Sequence, residues 1–213
     1  MNSQGFVAKT PSKPRTLLFR AAYCVFLAGG VFAMGYAGYV VADTHIYQTI
    51  EQAKFENVSP SEVPHPAVEG SAIGEMEVPR LGLKAIFVQG DSPSILRHAV
   101  GHISETALPG EAGNVVLTAH RDSFFRPLRG IQVGDAITIE TLDGEFGYQV
   151  ASTEVVLPSD IQVLRPSSEN TLTLVTCFPF YYIGAAPKRF IVHARQIAQL
   201  PVQSSLTRAP RAF

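Results

Sequence analysis

The sequence predicts a mainly β domain, a closed or nearly closed antiparallel barrel or a sandwich with short helices, preceded by one transmembrane helix. Three observations carry this expectation. Residues 21–42 form a run of 22 residues without a charged side chain. After residue 70 the chain breaks into many short β-branched and aromatic runs separated by Gly-Asp, Asp-Gly and Leu-Pro punctuation. The whole chain has 213 residues, the size of one domain with an appendage, and 46 % apolar residues against 16 % charged exclude wholesale disorder.

The first element is a basic cytoplasmic segment, 1–20, in which Lys9, Lys13, Arg15 and Arg20 stand without an acid. The apolar run 21–42 spans about 33 Å as a helix, enough for a bilayer core of about 30 Å. It is longer than the apolar stretch of a cleaved signal peptide, and Cys24 lies too early for a lipoprotein signal. It reads as an uncleaved signal-anchor contacting the lipid bilayer. The positive-inside rule puts the N-terminus in the cytoplasm and the rest outside the plasma membrane. Without those four cations the remainder has 13 basic and 18 acidic residues, a net charge of −5. That is no field for nucleic acid.

Residues 43–70 read as a Pro-rich stalk. A short helix over 44–55 precedes Pro60, Pro64 and Pro66, which stiffen and extend the chain; His65 is solvated there. The domain follows over 71–200, with strands expected at 74–78, 85–88, 114–119, 136–142, 147–156, 171–176 and 189–197. Short helices are expected at 94–98 and 123–128, and a hairpin tip at Asp143-Gly144. Residues 201–213 read as a flexible tail.

The chemistry centres on Cys177. The strand Thr171-Leu172-Thr173-Leu174-Val175-Thr176 delivers it to a rim, because Phe178-Pro179 stops regular pairing. A buried core cysteine is the ordinary fate of this residue type. His120 upstream and Arg189 downstream complete a set able to make a thiolate, shuttle a proton and hold an oxyanion. With two cysteines in the chain, neither a disulfide framework nor a zinc site is expected.

Thr173-Leu174-Val175-Thr176-Cys177 with Arg189 beyond it resembles the signature of sortases, the cysteine transpeptidases of bacterial envelopes. The block from Val116 through His120-Arg121-Asp122 to Leu128 resembles the sortase histidine segment, particularly of class D, and 99–111 and 182–189 agree. The resemblance runs in order over 74–195. It implies a sortase-type closed barrel of about eight strands, and a catalytic set of Cys177 as nucleophile, His120 as acid and base, and Arg189 as oxyanion or backbone donor. It also implies surface proteins bearing an LPxTG-like motif as one partner. An amine acceptor, such as a cell-wall precursor or a pilin lysine, would be the other. Phe178, Phe180, Tyr181 and Tyr182 are expected to wall water from the thioester. No cofactor is expected. Calcium is the one ion the resemblance leaves open, at Glu140, Asp143 and Glu145, where solvated hairpin charges are the simpler reading. His102 reads as a rim or turn residue, His98 and His193 as surface or barrel positions, and His45 as a membrane-boundary residue.

Two other classes are weighed against this. An L,D-transpeptidase also uses an envelope Cys and His, but its Ser-His-Gly-Cys differs from Val-Thr-Cys-Phe here. A catalytically inert β-barrel binding module is the non-enzymatic alternative.

Overall fold

The computed structural model describes residues 13–57, 68–182 and 184–200. Residues 1–12, the prolines Pro60, Pro64 and Pro66 with His65, and the expected tail 201–213 lie outside the described residues. Two units emerge, Met1–Asp43 and Thr44–Phe213.

In the first unit the helix α1 (Lys13–Asn57) begins, and every described side chain from Leu17 to Asp43 is exposed, Phe26 and Met34 by about four-fifths. Its stretch Leu17–Ala53 is long and apolar enough to cross a membrane, by length and composition. Exposed apolar side chains on every face suit a helix whose solvent is lipid.

In the second unit, residues 44–57 continue α1 as a helix. Gln48 ties it to the barrel: its amide nitrogen donates to His98 O (2.6 Å) and its oxygen accepts from Ile86 N (3.0 Å). Eight strands follow: β1 (Ala72–Val78), β2 (Leu83–Gln89), β3 (Val100–His102), β4 (Asn114–Thr118), β5 (Ala136–Thr141), β6 (Gly144–Val156), β7 (Thr171–Phe178) and β8 (Lys188–Leu200). They close in the order β1-β2-β3-β4-β7-β8-β6-β5, so each of these described strands has a neighbour on both sides. The closed barrel is as expected. Two of its seams, β2–β3 and β4–β7, are parallel, so the barrel is mixed. The three-residue β3 was too short and too glycine-rich to show a period in sequence. It enters the barrel through the crossover that carries α2 (Pro93–Leu96). The expected helix near 123–128 is instead a turn followed by a 3₁₀ segment, Arg126–Gly130. Pro127 supplies no backbone donor there, and Gly130 does not favour extending a helix.

Strand alternation divides the residues cleanly. Met76, Phe87, Val115, Leu117, Ile139, Phe146, Tyr148, Leu172, Leu174, Val192 and Ala194 are buried together inside. Closure is tight. At Gly74 an added Cβ would lie 2.3 Å from Glu140 O and 2.9 Å from Phe87, so only glycine lets β1 meet β5 there. The expected hairpin joins β5 to β6 through Leu142-Asp143, with Glu140 opposite Glu145.

Candidate active site

The site follows from strand parity. Leu172 and Leu174 point into the barrel, so Thr173, Val175 and Cys177 point out. On β8, Val192 and Ala194 point in, so Arg189, Ile191 and His193 point out. The antiparallel register pairs Cys177 with Arg189, Val175 with Ile191 and Thr173 with His193. Directly opposed residues share a face and lie about 4.5–5.5 Å apart at Cβ. Cys177 and Arg189 are therefore neighbours on the outer wall, both half-buried.

On the other side of β7 runs β4, parallel, with Val116 opposite Thr173 and Thr118 opposite Val175. Two residues further, the same register brings His120 level with Cys177. The strands remain joined to that point. Ala119 N donates to Val175 O (3.3 Å), and the buried Thr176 hydroxyl donates back to Ala119 O (2.7 Å). His120 is exposed. One row thus runs from His120, just past the end of β4, to Cys177 on β7 and Arg189 on β8.

The rows behind it differ. Val116, Thr173 and Ile191 also face outward yet are buried. At that end Asn114 holds the β6–β7 connection: its amide nitrogen donates to Val163 O and Arg165 O, and its oxygen accepts from the hydroxyls of Thr171 and Thr173. All four of its hydrogen-bonding positions are used. The outer wall is closed at the Asn114 end and accessible at the Cys177 end.

The Arg189 guanidinium rests one nitrogen on its own strand entry, donating to Lys188 O (3.1 Å) and Ala186 O (3.4 Å). Lys188, its neighbour, is exposed. The aromatic residues separate into two groups. Phe178, Phe180 and Phe190 pack ring on ring with centroids 5.3–6.3 Å apart, and Phe180 and Phe190 touch the core. Tyr181 and Tyr182 are exposed and meet Arg129 and Arg121.

The remaining histidines take other places. His102 shares the inward face with Leu117, its register partner, and is 1 % exposed. Its Nε2 donates to Ala107 O (2.9 Å), and Nδ1 pairs with the Gln89 amide (2.9 Å). Burial pushes its pKa down, favouring the neutral ring. His98 is half-buried beside Tyr47, and His193 meets Glu154 on the outer wall (2.8 Å). Among the described residues no group of three or more His, Cys, Asp or Glu side chains gathers to hold a metal.

Thr176, Asn114 and Arg121 carry site geometry that sequence reasoning did not assign. Thr176 and Arg121 stood inside the motif blocks, but a partner across the sheet cannot be read from one strand. Asn114 left one signal, an amide side chain opening an otherwise apolar strand.

Residues 76–197 match the sortase domain family. The chain is 30 % identical over 188 residues to Sortase D of Bacillus subtilis (strain 168), covering 80 % of this chain and 95 % of that protein. It is 32 % identical over 151 residues to Sortase SrtE1 of Streptomyces coelicolor, covering 62 % of this chain and 42 % of that one. Among solved structures it resembles a Clostridium perfringens Sortase D5 transpeptidase, with a TM-score of 0.63 and 29 % identity over 71 % of this chain and 99 % of that one. A barrel whose strands bring a cysteine, a histidine and an arginine into one row, matched over most of its length by these relatives, belongs to the sortase family as a class D-like cysteine transpeptidase.

Proposed function

We propose that the chain is a membrane-anchored sortase. On this reading it cleaves an LPxT(G/A)-like sorting motif through a Cys177 thioester and passes the acyl group to an amine. The observation that carries the reading is the pairing of Cys177 with Arg189 across β7 and β8, with His120 following the last residue tied to β7, Ala119. Cys177 Sγ attacks the carbonyl carbon of the motif threonine. The oxyanion that forms lies on the Arg189 side, where a planar, always-charged guanidinium donates hydrogen bonds. His120 gives a proton to the departing amine as the C–N bond breaks, leaving the thioester. An incoming amine then attacks, loses its proton to His120, and expels the thiolate as the C–S bond breaks. One amide is exchanged for another.

Anchoring rests on the exposed apolar length of α1 and the one-sided Lys9, Lys13, Arg15, Arg20 cluster. These support an extracytoplasmic domain at the outer face of the plasma membrane. Protease added to spheroplasts is expected to digest the domain and spare the N-terminus. Recovery of a chain starting near Asp43 would show cleavage and remove the anchor.

The chemical test incubates the full chain in detergent micelles with LPxTG-type and LPxTA-type peptides and a glycine or lysine amine. Mass spectrometry is expected to find an acyl adduct on Cys177 and amine-linked product. A folded chain that bound peptide yet formed neither would leave the inert binding module as the better reading.

A further inference from the structure

We propose that Arg121 is a positioning residue. It struts the histidine turn against the β7–β8 connection and thereby sets how the acyl-enzyme divides between amine and water. The inference rests on the thioester chemistry proposed above. His120 begins the β4–β5 connection, where its carbonyl accepts from Phe125 N (3.1 Å) and the fully buried Phe125 pins the turn to the core. From the next position, Arg121 reaches across to the segment joining the Cys177 strand to the Arg189 strand. Its Nη2 donates to both Tyr182 O (2.7 Å) and Gly184 O (2.9 Å), and its guanidinium lies 5.9 Å from the Tyr182 ring centroid. Gly184 has φ +95°, a left-handed conformation that lets two nearby carbonyls converge on one nitrogen.

A second, weaker contact lies alongside. Arg129 Nη1 donates to the Tyr181 hydroxyl (2.6 Å), with its guanidinium 5.6 Å from that ring. Arg129 reaches a side-chain hydroxyl that can rotate away, whereas Arg121 reaches two main-chain carbonyls. Arg121 thus ties the residue beside His120 to the loop between Cys177 and Arg189. Releasing it frees the turn that carries His120 to shift against the row's strand-held members, Cys177 and Arg189. Misplacement by about 1 Å is enough to cost about 10²-fold in rate. A loosened wall also admits water to the thioester.

The test compares full-length wild type with Arg121→Ala, Arg121→Lys, Gly184→Ala and the control Arg97→Ala, in micelles with one peptide and one amine. The primary readout is the ratio of hydrolysed to amine-linked product, which does not depend on how much of a variant is folded. Arg121→Ala is expected to lower kcat/KM about 10- to 100-fold and to raise that ratio severalfold. Arg121→Lys, which keeps a charged donor but loses the flat guanidinium beside the Tyr182 ring, should fall between. Gly184→Ala perturbs the strut from the loop side, where an added Cβ meets no atom within 4 Å, and should raise the ratio even if Arg121→Ala fails to fold. Arg97→Ala should match wild type. Unchanged ratios in both Arg121→Ala and Gly184→Ala would overturn the proposal. Amide exchange at Tyr182 and Gly184 is read in parallel. It should accelerate in Arg121→Ala, and an unchanged rate would equally remove the strut. A wild-type chain that formed no acyl-enzyme would instead defeat the catalytic reading, while the exchange comparison would still decide the contact.

Discussion

Two histidines, one on β3 and one just past the end of its neighbour β4, meet opposite fates. His102, on β3, falls on the inward parity beside Leu117; it is buried, and both ring nitrogens are occupied. His120 falls on the outward parity one step beyond Ala119, where β4 has run out of partners, and it is exposed. Chemically the side chains are identical. Strand parity and distance from the strand end decide which one is a buried crosslink and which reaches solvent, where the proposed acid–base role requires it. The same logic separates Arg189, half-buried opposite Cys177, from the exposed Lys188 beside it.

Breaking the comparison at its outward end gives the largest expected effect. Cys177→Ala should abolish cleavage and transfer while circular dichroism remains native, and His120→Ala should lose about 10²–10⁴-fold in turnover. His102→Ala should do the reverse. It leaves Ala107 O and the Gln89 amide without their partner, costing about 1–3 kcal/mol of stability, while turnover per folded molecule stays near wild type. Loss of turnover without loss of stability in His102→Ala would merge the two regions and undo the distinction.

Next in size is the arginine. Arg189→Lys and Arg189→Ala should each lose about 10²–10³ in turnover, with substrate affinity changed less, whereas Lys188→Ala should stay within a few-fold of wild type. Equal losses at both positions, measured as steady-state kinetics, would point to charge alone and remove the directional role.

A smaller effect lies in acid stability, and its sign differs in origin between two sites. Asp135 accepts from Arg80, with Gln132 N adding a third hydrogen bond, and the Arg80 hydrogen bond holds its carboxyl below the usual range. Its contribution is present above about pH 4 and is lost as pH falls through the lower folded value. His102 is held neutral by burial, so the unfolded chain takes the proton first and stability falls as pH drops below about 6.5. Thermal midpoints against pH should show Asp135→Asn converging on wild type only at strongly acidic pH. His102→Gln should narrow the gap to wild type already in the mildly acidic range. Parallel curves for all three proteins would contradict both assignments. Smallest of all, Cys24→Ala should leave the activity of the full chain unchanged, since that thiol lies in the membrane candidate α1.

Much of this arrangement was legible from residue types. The apolar run, the β-branched strand that carries Cys177 next to its end, and the turn at Asp143-Gly144 each express a local preference that packing did not overrule. What escaped was everything set by a partner remote in sequence. The strand β3 exists because β2 and β4 need a third strand between them. The parallel seams follow from crossovers, and His102 is fixed by Gln89 and Ala107. Phe180 was expected as part of a wall around the thioester and Phe190 carried no such expectation; ring packing places both at the core edge.

The sequence by itself determined that one apolar helix precedes a β domain, and that a cysteine stands near the end of a strand before a proline, because these depend on hydrophobic length, β-branching and missing backbone donors within a few residues. Only the tertiary structure decided that His120, Cys177 and Arg189 share one row, that Asn114 closes one end of the wall, and that Arg121 spans to Tyr182 and Gly184. The reason is physical: register between strands is set by barrel closure and by the summed packing of both faces, quantities that no single segment contains.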